Sequence, residues 1–86
     1  MQNDKTSGEL HMLRLKRLGI ETGQENVIFM RSDCHVCRAE GLTTYARVLV
    51  RGPRGEIVAT LNHVITEGLL AIGESGLSEQ AWKSLR

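Results

Sequence analysis

Both cysteines of the chain fall in one short stretch, Arg31-Ser32-Asp33-Cys34-His35-Val36-Cys37, with a histidine between them. A C-x-x-C pair is the smallest unit of two chemistries. It supplies half the ligands of a tetrahedral zinc site, and His63 could add a third. It can also cycle between dithiol and disulfide when a helix start lowers one thiol's pKa. A structural zinc site takes four ligands, however, and the remaining histidines, His11 and His63, are distant single residues. His63 sits at a strand position, where a cross-strand pair accounts for it. The redox reading lacks the βαβ surroundings of a thioredoxin-like motif. The preferred reading is packing, with two small half-buried side chains holding a short helix against a barrel. Cys34, Cys37 and His63 stand as the metal candidates, and no catalytic or cofactor-binding residue is assigned.

Two other stretches invite a binding role. Residues 73–78, GESGLS, place glycines ahead of a helix start, as phosphate-binding loops do. They lack the P-loop lysine, and Glu74 and Glu79 would repel an anion, so a tight turn is expected. Arg14, Lys16, Arg17, Arg47, Arg51 and Arg54 could form a basic face for nucleic acid. Strand surfaces are often rich in Lys and Arg to resist edge pairing, and Phe29, Tyr45 and Trp82 are the whole supply of stacking aromatics. No nucleic-acid partner is expected.

The elements that position these residues follow from periodicity. Residues 12–18 alternate, with Leu13 and Leu15 opposite Arg14 and Lys16, which predicts a half-buried strand ended by Gly19. The run 27–30, VIFM, suits a buried strand. Ser32 and Asp33 are N-cap candidates for a short helix over 33–40, and Gly41 is placed as its C-terminal glycine. Residues 44–51 alternate, Gly52-Pro53-Arg54-Gly55 makes a turn, and 56–65 alternate again with Ile57, Ala59, Leu61 and Ile65 aligned, giving a β-hairpin. The run 69–72 predicts another short strand. Ser78 then caps a helix over 78–86, with Leu77 and Trp82 placed as a hydrophobic staple and Ala81, Trp82 and Leu85 as the inward stripe.

Eighty-six residues make one domain, and a chain of this size buries only about 60–65% of its unfolded surface. The composition, 41% hydrophobic and 24% charged, is that of a globular protein. A formal charge of +1 exerts no long-range pull on nucleic acid or anionic lipid. No run reaches the length of a membrane span, and the polar start MQNDKTSGE lacks the apolar stretch of a signal peptide. A cytoplasmic location with no membrane partner is expected. Residues 1–9 are expected to form a flexible tail, and 10–86 a β-rich barrel-like domain.

The two halves repeat one order: alternating strand, short apolar strand, polar cap, short helix. The first adds a further strand over 44–51, and the second would need an equivalent strand after residue 86, so a longer parent protein is expected. The fold class is mainly β with two short helices (α+β), a small barrel with a pseudo-twofold strand–helix repeat.

The set LRLKRLGIETGQENVIFMRSDCHVCRAEG, IVATLNHV, LLAIGESGLSE and AW resembles the start of the bacterial thymidine phosphorylase family that is related to archaeal AMP phosphorylase. The likeness runs from about Leu13 to Leu85. Its most specific pieces are Lys16-Arg17-Leu18-Gly19-Ile20, the block from Cys34 to Gly41, and Gly73-Glu74-Ser75-Gly76-Leu77-Ser78. Ile72 departs from the pattern, which has a proline before the glycine. The resemblance implies a non-catalytic N-terminal module of the double-psi barrel type that serves assembly. Its parent would cleave pyrimidine nucleosides with inorganic phosphate, a co-substrate, to base and sugar-1-phosphate. The implied partners are the parent's downstream catalytic domains and other subunits of a homo-oligomer, with nucleoside and phosphate bound outside this segment. A free-standing β module that binds zinc or nucleic acid is the alternative.

Overall fold

The computed structural model describes residues 13–85. The expected tail over 1–9, His11, Met12 and Arg86 lie outside them. The element order is β1 (Arg14–Arg17), β2 (Val27–Arg31), α1 (His35–Glu40), β3 (Arg47–Gly52), β4 (Gly55–Val64), β5 (Glu74–Leu77) and α2 (Glu79–Leu85). The five strands form one curled half-barrel sheet in the order β1-β5-β2-β4-β3. The mainly β class with two short helices is thus the observed one.

Alternation explains which faces are covered. In β3 and β4, Val48, Val50, Ala59 and Leu61 turn inward and are buried, whereas Arg47, Leu49 and Arg51 are exposed. Their partners from the rest of the sheet are Ile28, Met30 and Leu77, and Ala81 and Leu85 of α2 close the cluster. The hairpin turns tightly: Gly52 pairs with Gly55, leaving Pro53 and Arg54 at the tip.

The pairing carries a pseudo-twofold relation between the halves. β1 lies parallel to β5 and β4 lies parallel to β2, while β2 and β5 meet antiparallel at the centre. The pair Leu15–Ser75 thereby corresponds to Leu61–Ile28, and Lys16–Gly76 to Asn62–Phe29. The axis passes through the central pair Phe29–Gly76. Each half lends its first strand to the second strand of the other, so the sheet of each half is completed by its mate.

Four sequence expectations are corrected. The strand expected over 69–72 is not formed; Leu70 is buried, but Ile72 is 80% exposed. The strand of this region is β5, in the stretch read as a tight turn. Only its entry turns, with Gly73 at φ +85 and Glu74 N–H donating to Ala71 O at 3.0 Å. Small residues win the strand position because Leu18 packs directly on Gly76, where an added Cβ would sit 2.6 Å from Leu18 Cγ. Secondly, β3 starts at Arg47, because Tyr45 adopts φ +74 and breaks the extended run. Thirdly, Ile65 lies past the end of β4 and is 84% exposed, rather than aligned with the core. Fourthly, neither Ser32 nor Asp33 caps α1. The cap residue is Cys34, which makes no side-chain capping bond, while Gly41 is left-handed as expected at φ +68.

Candidate functional site

The cysteine stretch occupies the end of β2 and the start of α1. Arg31 explains why Asp33 does not cap the helix: the carboxylate is taken up by a two-point pair, Arg31 Nε to Asp33 Oδ1 and Nη2 to Oδ2, both 2.9 Å. This pairing holds the Asp33 carboxyl below the usual carboxylate range. The remaining Arg31 nitrogen, Nη1, donates to Leu70 O at 3.3 Å and ties the strand end to the loop before β5. Cys34 N–H donates to Arg31 O at 3.0 Å, closing the turn that delivers Cys34 to the helix start.

From there the three-residue spacing brings the second cysteine back over the first. Cys34 is half-buried and Cys37 is buried, both as free thiols. Cys34 packs against the core cluster that holds Cys37. Cys37 Sγ also donates to Met30 Sδ at 3.4 Å within the core. Burial first, and then the neighbouring Cys34, push the Cys37 thiol up to about 12. A cleft of about 190 Å³ opens beside Cys34, bordered by Arg31, Asp33, His35 and Glu74.

Met30 was not legible as a site residue, and only register places it there. It pairs with Ser75 on one side and His63 on the other, and Ser75 pairs in turn with Leu15. Directly paired residues share a face, so Leu15, Ser75, Met30 and His63 form one row across the inner surface of the sheet. His63 Nδ1 lies 3.1 Å from Thr44 Oγ1. Ser75 Oγ, in a fully buried residue, and His63 Nε2 have no hydrogen-bond partner among the described residues.

The structure therefore unites Cys34 with Cys37 and leaves His63 apart from them. Among the described residues, no three His, Cys, Asp or Glu side chains converge on one point. The basic residues are dispersed as well. Arg17 pairs with Glu79, Arg51 with Glu56 at 3.1 Å, Lys16 Nζ donates to Leu69 O at 3.2 Å, and Arg14 Nη2 to Ile72 O at 3.4 Å. No helix among the described residues is long and apolar enough to cross a membrane.

Similarity to known proteins supplies what the site alone does not. A "Putative thymidine phosphorylase" of Maricaulis maris is 52% identical over 79 residues, covering 91% of this chain and 15% of the relative. One of the same name from Hahella chejuensis is 51% identical over 77 residues, covering 90% and 15%. A third, from Legionella pneumophila, is 53% identical over 75 residues, covering 87% and 14%. No family model matches the chain, and no solved structure matches it. The chain is a homologue, over about 15% of their length, of the bacterial sequences that carry the name putative thymidine phosphorylase.

Proposed function

We propose that this chain is the N-terminal, non-catalytic assembly domain of a cytoplasmic enzyme of the thymidine phosphorylase type. The observation that carries the reading is one asymmetry: the match covers 91% of this chain but 15% of the relative. A segment alike from end to end, small beside its relatives and built around its own core, has the character of a separate folding unit. In the parent, a phosphate oxygen would attack the anomeric carbon of a pyrimidine nucleoside. The N-glycosidic bond breaks, the base leaves with its electron pair, and a sugar-1-phosphate forms. These events belong to the downstream domains, and this domain's partners are those domains and neighbouring subunits.

The test uses the full-length Maricaulis maris relative with and without its matching segment. Deletion is expected to lower the subunit count measured by light scattering and to reduce thymidine phosphorolysis. The 86-residue chain alone is expected to turn over no thymidine. Turnover by that chain, freed of host phosphorylase, overturns the reading, as does a deletion that leaves assembly unchanged.

A further inference from the structure

Three sulfur-bearing side chains share one part of the core beside the cleft. Cys37 Sγ lies 3.4 Å from Met30 Sδ, and Cys34, three residues earlier, packs against the same core and borders the cleft. The cluster is built rather than incidental. Met30 is fixed by pairing on both sides, and Cys34 by the turn that Arg31 O closes. We propose that Cys34, Cys37 and Met30 form a binding site for a soft monovalent cation, of which Cu(I) is the type.

The donor set decides the class of metal. Two thiolates and a thioether are soft ligands that favour Cu(I), whereas a structural zinc ion takes four nitrogen, sulfur or oxygen ligands. The carboxylates at the cleft, Asp33 and Glu74, are hard donors, and Asp33 is already engaged by Arg31. Metal–sulfur bonds of about 2.3 Å in a trigonal site put the sulfurs roughly 4 Å apart. The Cys37–Met30 separation would therefore open by well under 1 Å, a movement that methionine's three rotatable bonds accommodate.

Entry is simple ligand exchange with no change of oxidation state. Each thiol releases one proton to solvent, two Cu–S(thiolate) bonds and one Cu–S(thioether) bond form, and the site acquires a net charge of −1. Arg31, which borders the cleft and is attracted to a Cys34 thiolate, faces that charge, with Asp33 and Glu74 opposing it. The half-exposed Cys34 gives the ion its way in from the cleft. A disulfide would use the two cysteines alone and leave the thioether without a role.

The experiment titrates the reduced 86-residue chain with Cu(I) under anaerobic conditions, against bathocuproine disulfonate as competitor. One Cu(I) per chain is expected, with three sulfurs in the first coordination shell by X-ray absorption. Since outer-shell partners are worth about 10–100-fold in metal affinity, Cys34→Ser and Cys37→Ser should each weaken binding by more than about 100-fold. Met30→Leu conserves volume and should keep the wild-type circular dichroism spectrum while weakening binding about tenfold. Failure of the wild type to hold Cu(I) against the competitor overturns the site. A shell of two sulfurs, or Met30→Leu binding like wild type, overturns the role of Met30 and with it the three-sulfur site.

Discussion

Ser78 grips Val27 with two different groups. Its backbone N–H donates to Val27 O at 2.9 Å, and its hydroxyl accepts the Val27 N–H at 3.1 Å. In a regular antiparallel ladder both bonds would be backbone to backbone. Here the Ser78 carbonyl has turned away to accept Trp82 N–H at 2.8 Å, the first bond of α2. The side chain takes over the lost ladder position and also accepts Ala81 N–H at 3.3 Å as the helix cap. One residue thus ends a strand and starts a helix without leaving a buried donor unmet.

Ser78→Ala should therefore cost about 1–3 kcal/mol, since it leaves two buried N–H groups without an acceptor. Ser78→Gly tells this site from an ordinary cap, where serine to glycine costs only a few tenths of a kcal/mol. Both variants should melt several degrees below wild type, by similar amounts. Chemical denaturation of the three proteins measures this, and a near-wild-type Ser78→Gly contradicts the double role.

Gly76 is the place in the sheet where a single methyl group has no room. A Cβ there would lie 2.6 Å from Leu18 Cγ, which cannot retreat as the tip of a flexible chain could. Gly76→Ala should destabilise by about 1–3 kcal/mol through overpacking. In the double variant Leu18→Ala/Gly76→Ala, the added methyl should cost much less than it does beside Leu18. A double-mutant cycle reads the coupling directly.

How much of this was legible beforehand depended on whether a residue's role was local. The hairpin was readable because Val48, Val50, Ala59 and Leu61 repeat with period two and the turn residues sit between them. Gly41 and the Ser78 cap were readable for the same reason, each being set by its neighbours along the chain. β5 was not, since its small residues, Ser75 and Gly76, carry no strand signature. Gly76 is required by Leu18, far away in sequence. The cap of α1 failed similarly because Arg31 claims Asp33. Within the candidate site, the C-x-x-C spacing announced Cys34 and Cys37, but Met30 joins them only through sheet register.

The two thiols should differ in reactivity. Cys34 is half-buried beside the cleft, whereas Cys37 is buried and its thiol is pushed up to about 12. At pH 8, iodoacetamide should modify Cys34 in the folded chain and spare Cys37, with both reacting after denaturation; peptide mass spectrometry reads the order. The same shift gives stability a sign with pH. Below pH 9.0 the thiol is protonated in both states and contributes no pH dependence. Between 9.0 and about 12 the unfolded thiol ionises while the folded one retains its proton, so stability falls as pH rises. Cys37→Ala should flatten that alkaline limb of the denaturation midpoint.

The pseudo-twofold relation also says what β1 lacks. Its counterpart β4 pairs with β2 and β3, whereas β1 among the described residues pairs with β5 alone. In the first half, the strand that follows α1 is β3, and it pairs with β4 from Thr60 back to Gly55. The symmetry carries Thr60 onto Arg14, so a strand following α2 would pair with Arg14 and the residues just before it. A groove of about 400 Å³ lies there, lined by Leu15, Trp82 and Leu85 and by Pro53 and Arg54 of the hairpin tip. Inward side chains of an added strand would fill it, and an unfilled strand edge is a template for pairing between molecules. A chain extended past residue 86 with about ten residues of the parent sequence should therefore melt higher and scatter less light at equal concentration. Amide exchange should slow in a peptide spanning residues 10–14. Equal midpoints and unchanged exchange there would mean that β1 is a true edge and that the repeat ends with α2.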